Sequence, residues 1–269
     1  MAFSIAAFAD EASASLDGQI NAMHKNDIRY LEIRGVDGEN ISDITPDRAG
    51  DIRRRLDGEG IAVWSIGSPF GKIGISDDFE SHLDKFKRCL ETAHILGAEH
   101  FRLFSFYGAD DPDAVFERLG AFIEAAKGSG IILCHENEKG IYGDTAKKCL
   151  EIHKALPGLR AIFDPANFIQ CGQGTKEAWE LLSPYVEYMH IKDALSDGSV
   201  VPAGKGEGEI GYLLSRYSGK MLTVEPHLSV FDGFEKLEQD NSLRGKYVYP
   251  DPLTAFSAAV SALKDLIGG

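Results

Sequence analysis

Val186-Glu187-Tyr188-Met189-His190-Ile191-Lys192-Asp193 begins as an apolar β-type run and ends in an imidazole, an amine and a carboxylate. Side chains alternate along a strand, so His190 and Lys192 point the same way. Three further apolar runs break off in the same manner. Ile131–Cys134 leads into His135-Glu136-Asn137, Arg160–Phe163 into Asp164, and Met221–Val224 into Glu225-Pro226-His227. Four earlier runs, Phe3–Phe8, Tyr30–Ile33, Val63–Ile66 and Phe101–Phe104, complete the series. They recur at intervals of roughly 25 to 40 residues, the length that a strand, a helix and two short loops require.

The segments between these runs carry helix signals. Thr45-Pro46 places a capping hydroxyl before a proline at the first helical position. Ile52 and Leu56 mark one face of that helix, and Gly58 and Gly60 end it. Leu83, Phe86, Leu90 and Ala93 step by three and four. Asp111-Pro112 opens the next helix, with Phe116, Leu119 and Ile123 on one stripe and Gly128 and Gly130 closing it. Leu253, Phe256, Val260, Leu263 and Ile267 form the last stripe. Eight strands, each followed by a helix or loop, predict an α/β fold, a single closed (β/α)8 barrel over residues 1–269. An open doubly wound sheet would carry a GxGxxG turn after its first strand, and none is present. Gly204-Lys205-Gly206-Glu207-Gly208 falls after the seventh strand and reads as a flexible connection. The polar stretch from Ser229 to Pro252 reads as an excursion of the eighth strand-to-helix loop.

Composition narrows the function. A chain of 269 residues with 43% hydrophobic content can bury a large core without disulfides or structural zinc. Cys89, Cys134, Cys149 and Cys171 show no CxxC spacing and read as reduced thiols of a cytoplasmic protein. Met1 to Ala12 lacks the basic start and apolar core of a secretory signal, and no apolar run approaches a membrane span. A net charge of −14 repels nucleic-acid phosphates. The densest basic group, Lys85, Lys87 and Arg88, shares its helix with Asp84 and Glu91. Neither nucleic acid nor membrane is therefore an expected partner.

In a (β/α)8 barrel the active site lies at the C-terminal ends of the strands. There, four consecutive strands present Glu136, Asp164, His190 and Glu225. Burying one unpaired carboxylate costs several kcal/mol, and burying three together raises their pKa values. A divalent cation removes that cost by favouring all the ionised forms at once. Three carboxylates and one imidazole make a mostly hard donor set, suited to Mn²⁺ or Mg²⁺, with Co²⁺ or Zn²⁺ able to compete. Positions left open on the ion would suit two oxygens of an α-hydroxy ketone. Nearby, Lys192 and His227 could reach a substrate, and Glu11 and Glu32 at the ends of the first two strands could bind hydroxyls. Trp64, Phe70, Phe106 and Tyr107 could pack against the apolar face of a sugar. His135, one residue out of phase with Glu136, should face the helices.

Over its whole length the chain resembles the xylose isomerase-like barrels, the sugar phosphate isomerases and epimerases. The carriers are Glu136-Asn137, Asp164-Pro165-Ala166-Asn167, His190-Ile191-Lys192-Asp193, Pro202-Ala203-Gly204 and the strand ending at Glu225. The resemblance implies one metal ion, usually manganese, on Glu136, Asp164, His190 and Glu225, with Glu136 and Glu225 also serving as acid and base. Two positions depart from the ketose epimerases. Asn167 stands where a His is frequent, and Tyr142 where a Glu is, so the substrate contacts of Asn167 should differ. The expected activity is isomerisation or epimerisation of a keto-sugar or related polyol through an enediolate. Loss of a β-hydroxyl from the same intermediate would make the enzyme a lyase or dehydratase of a keto-sugar or keto-inositol. DNA-repair endonucleases share this barrel but need a zinc cluster with more His ligands than the eight His here supply at strand ends. A non-catalytic sugar-binding barrel is the remaining alternative. The resemblance implies a homodimer or homotetramer.

Overall fold

Eight parallel strands close on themselves in this structure, a computed structural model that describes residues 3–229 and 247–268. They are β1 (Ser4–Ala7), β2 (Tyr30–Ile33), β3 (Ala62–Ile66), β4 (His100–Leu103), β5 (Ile132–Glu136), β6 (Arg160–Phe163), β7 (Val186–Ile191) and β8 (Met221–Val224). Each pairs with its neighbours in sequence, and β1 pairs with both β2 and β8 to complete the barrel. The expected strands are all present. The fifth runs past Cys134, because Cys134, His135 and Glu136 lie in register with Arg160, Ala161 and Ile162 of β6. Glu136 is thus the last residue of a strand, fixed by the sheet, and not a loop residue.

Helices α1 (Leu16–Lys25), α2 (Pro46–Gly58), α3 (Phe79–Leu96), α4 (Pro112–Ala125) and α5 (Ala146–Ala155) cover the first five strands. The short α6 (Pro165–Gln170), α7 (Thr175–Leu182), α8 (Ile210–Arg216) and the C-terminal α9 (Pro252–Gly268) cover the rest. Thr45 and Asp111 cap α2 and α4 as their sequence positions predict, accepting from the backbone N–H groups of Arg48 and Asp113. Gly58 falls inside α2, and Gly60 makes the turn after it with φ of 68°. The buried face of α4 is Val115, Leu119 and Phe122, offset from the expected stripe. Phe116 and Ile123 are only half-buried, because Phe122 turns inward to meet Phe86 at 4.6 Å between ring centroids.

The main core fills the layer between strands and helices. A smaller cluster of Ala6, Cys134, Ile162, Tyr188 and Met221, with Trp64 against it, makes an apolar floor inside the barrel. Phe106 and Phe70 belong to the outer layer. Phe106 is wholly buried, its ring 6.0 Å from Phe79 and 6.3 Å from Phe122, which corrects its expected role as a substrate contact. The glycine-rich segment is likewise no loose connection. The buried Asp193 carboxylate accepts from the N–H groups of Ala194 (2.9 Å), Gly204 (2.9 Å), Gly206 (3.0 Å) and Gly208 (2.8 Å), so the loop is wound around it. A Cβ on Gly206 would sit 2.3 Å from Asp193 Oδ1, which explains the glycine there. Of the expected excursion between Ser229 and Pro252, residues 230–246 lie outside the described residues. No described helix is long and apolar enough to cross a membrane. All four cysteines are free thiols.

Candidate metal centre

Above the apolar floor the barrel interior turns polar. Glu136 ends β5, Asp164 follows β6 and caps α6 through the Asn167 N–H at 3.0 Å, His190 lies in β7, and Glu225 follows β8. Each offers one ligand-type atom, and these atoms all lie within 4.8 Å of one another. All four residues are buried. Asn137 stitches the site's floor across two strands, donating to the Asp164 carbonyl and accepting from the Asp164 N–H, both at 2.9 Å.

The surroundings are a dense ionic network. His190 Nδ1 lies 2.8 Å from Glu136 Oε1 and 3.6 Å from Glu225 Oε2, while its Nε2 lies 3.2 Å from Glu32 Oε2. Lys192 Nζ lies 3.2 Å from Glu225 and 3.3 Å from Asp164 Oδ2. Arg102 reaches Glu136 at 3.1 Å and Glu225 at 3.8 Å. Arg34 reaches Glu225 at 3.3 Å, Glu11 at 3.1 Å and the edge residue Asp10 at 2.8 Å. Sequence reasoning missed both arginines. A signal was available: Arg102 interrupts the apolar β4 strand at an inward-facing position, and Arg34 lies two residues beyond Glu32, on the same side of β2.

The other expected substrate contacts divide. Lys192 is in the centre. His227 stands at the rim, its Nε2 3.5 Å from Glu225 Oε1 and 3.4 Å from Glu11 Oε1, with its backbone at φ of 45°. Glu11 is beneath it, accepting the His227 backbone N–H at 2.6 Å. The Asn167 amide donates to the Asn137 carbonyl at 2.9 Å and reaches Glu136 at 3.5 Å, and its Oδ1 has no hydrogen-bond partner among the described residues. Glu32 is wholly buried below His190, out of reach of a hydroxyl at the mouth. His135 faces the helices as expected, bonded to Ser105 at 3.0 Å.

Burial alone would keep these carboxyls protonated. Against it, His190 and Arg102 hold the Glu136 carboxyl below its ordinary range, and Lys192 and His227 hold Glu225 well below. Burial prevails at Asp164, pushed up to about 7 despite Lys192, and at Glu11, pushed up to about 8 despite Arg34. Five carboxyls, Glu11, Glu32, Glu136, Asp164 and Glu225, are thus buried with Arg34, Arg102, Lys192 and His190, whose imidazole, despite its burial, Glu136 and Glu32 hold well above its ordinary range. Asp164 Oδ2 has ion-pair distance to Lys192 but no aligned hydrogen bond. The donor set, its convergence and this unpartnered oxygen all fit one divalent cation.

The sequence profile of the xylose isomerase-like TIM barrels matches residues 20–217. No curated protein matches the sequence. Among solved structures, the fold is similar to a probable 3-DHS dehydratase, AsbF of Bacillus anthracis, with 14% identity, TM-score 0.74 and coverage of 98% of this chain and 99% of that one. It is similar to the IolI protein with a bound zinc atom, with 15% identity, TM-score 0.76 and 98% of both chains covered. It is also similar to an L-ribulose 3-epimerase, with 15% identity, TM-score 0.76 and coverage of 100% and 95%. At such identities these likenesses speak for the barrel.

Proposed function

Since the chain belongs to the xylose isomerase-like TIM-barrel family, we propose that it is a divalent-metal-dependent isomerase or epimerase of a keto-sugar or related polyol. One observation carries this reading: Glu136, Asp164, His190 and Glu225 converge within 4.8 Å in a buried site where Asp164 Oδ2 has no hydrogen-bond partner among the described residues. These four residues would hold the ion. When bound, it would polarise the carbonyl and adjacent hydroxyl of the substrate, making the C–H between them acidic.

The protein's own groups supply the rest. Glu136 and Glu225 are held ionised, the state a proton acceptor needs. One takes the carbon-bound proton, giving an enediolate, and the other returns a proton. Return to the same carbon epimerises, and return to its neighbour isomerises. Arg102 keeps both carboxylates in place. Its Nε and Nη2 donate to the carbonyls of Ser68 (3.3 Å) and Gly67 (3.0 Å), so it is anchored independently of them. Asn167 Oδ1 and His227 offer polar contacts to substrate hydroxyls. Dehydration is the second reading, favoured by Lys192. Asp164 and Glu225 outweigh the burial of its ammonium and keep it charged, so it could protonate a departing hydroxyl.

The test is to incubate manganese-loaded protein with ketopentoses and ketohexoses in deuterated water. Deuterium at the carbon next to the carbonyl, with an epimer or aldose formed, supports the proposal. Deuterium-free substrates across the panel, with metal bound, would refute it. An unsaturated or deoxygenated product would select dehydration.

A further inference from the structure

Glu32 lies under the proposed ligands and touches one of them. Its Oε2 is 3.2 Å from His190 Nε2, the ring nitrogen that faces away from Glu136 and Glu225. Its Oε1 accepts from the Tyr188 hydroxyl at 2.9 Å and the Ser65 hydroxyl at 3.3 Å, and those two hydroxyls lie 3.0 Å apart. Glu32, Ser65, Tyr188 and His190 are all at 0% exposure, so no water competes for these bonds. Phe8 closes the remaining side of the imidazole edge-on, with ring centroids 5.2 Å apart. The imidazole therefore cannot flip without breaking a buried hydrogen bond on each nitrogen.

We infer that Glu32 is the positioning residue of the metal centre, fixing His190 with Nε2 protonated and the Nδ1 lone pair turned toward the divalent cation. An ionised carboxylate only accepts hydrogen bonds. With both oxygens already taking O–H and N–H donors, Glu32 is satisfied only when Nε2 carries the hydrogen. With a cation bound, the neutral imidazole then has its lone pair on Nδ1, the nitrogen beside the oxygens of Glu136 and Glu225. A carboxylate behind a metal-binding histidine also makes the ring a better donor. Ser65 and Tyr188 hold the carboxylate so that it cannot turn up into the site. This inference rests on the metal reading above and assigns Glu32 a role other than substrate binding.

The test strips the full-length protein with chelator and titrates it with Mn²⁺, following free Mn²⁺ by electron paramagnetic resonance. Parent, Glu32→Gln and Glu32→Leu are compared. The parent should take up about one ion. Glu32→Gln keeps an acceptor oxygen for Nε2–H but loses the charge, and should bind more weakly by several-fold. Glu32→Leu loses both and should weaken by about 10- to 100-fold, the scale seen for such supporting groups. Should the Leu variant fail to fold, the Gln variant still carries the comparison. Nitrogen-15 shifts of the His190 ring, read in protein loaded with diamagnetic Mg²⁺, give a second measure that a packing defect would not move. They should show a strongly hydrogen-bonded Nε2–H in the parent and a weakened one in folded Glu32→Leu. Parent binding with unchanged affinity in both folded variants overturns the role of Glu32 alone. No stoichiometric uptake by the parent overturns the metal reading itself, and this inference with it.

Discussion

Asp193→Asn should destabilise the barrel by about 3–5 kcal/mol, although residue 193 touches neither a proposed ligand nor the substrate space. Its carboxylate accepts four backbone N–H groups, two on each oxygen, at 2.8 to 3.0 Å. Asparagine keeps one oxygen and its two bonds. Its amide nitrogen, a donor, would face the other two N–H groups. A hydrogen bond to a charged acceptor contributes about 1.5–3 kcal/mol, so losing two gives the stated range, with the part-buried Gly204 and Gly206 bonds at the low end. Against a total stability of about 5–15 kcal/mol this is a large fraction. The assay is urea unfolding followed by circular dichroism, in which the midpoint should fall at unchanged slope. Gly206→Ala should act in the same direction, since its Cβ would meet Asp193 Oδ1 at 2.3 Å and the Ala194 carbonyl at 2.5 Å. A loss below about 1 kcal/mol for Asp193→Asn would refute the reasoning and return the segment to a loose connection.

Three further outcomes follow from the site. His190→Ala should lower Mn²⁺ affinity more than about a hundredfold while leaving a folded barrel, and a variant that binds like the parent would count against the proposed ligand set. Glu136→Gln and Glu225→Gln, compared at saturating metal, should each lose about a hundredfold or more in turnover. If they serve opposite faces of the substrate, one should still exchange solvent deuterium into substrate and the other only into product, and silence of both in both directions would point to a single base. Burial pushes the His153 imidazole down to about 4, whereas an unfolded imidazole titrates near 6.5. The unfolded chain therefore takes up the proton first. The contribution is complete above about pH 6.5 and is lost as pH falls toward 4, by at most about 3 kcal/mol. His153→Gln should flatten that part of the stability curve, and an unchanged curve would contradict the assignment.

Most of the barrel was legible because strand and helix signals agree with each other along the chain. Each expected strand lies within about two residues of an observed one, and the helix caps at Thr45 and Asp111 are where the sequence puts them. The four proposed ligands were legible for a different reason. Each ends an apolar run, where a polar side chain stands out. Arg102 and Arg34 escaped because one arginine in an apolar run also fits a surface strand, and only closure of the barrel turns it inward. Phe106 was misplaced because an aromatic residue near a strand end has two apolar surfaces open to it. The structure gives it to Phe79 and Phe122. The glycine-rich segment was misread because flexibility was inferred from composition. The partner that orders it, Asp193, lies eleven residues before Gly204.

His190-Ile191-Lys192-Asp193 gains its meaning from strand alternation followed by a turn. His190 and Lys192 face inward, and between them they touch Glu32, Glu136, Asp164 and Glu225. Ile191 faces outward into the helix-side core, anchoring the strand that carries both. Asp193 ends the run by gathering the following loop around its own carboxylate. Four bonds spent on backbone leave that carboxylate nothing for a cation, so it does not compete with the proposed ligands nearby. One tetrapeptide thus separates three tasks by direction alone: chemistry inward, packing outward, loop closure beyond. An insertion of one residue before His190 would exchange the first two tasks, placing Ile191 in the charged centre and an imidazole against the helices. The barrel's polar centre therefore depends on the register of β7 as much as on the identity of its residues.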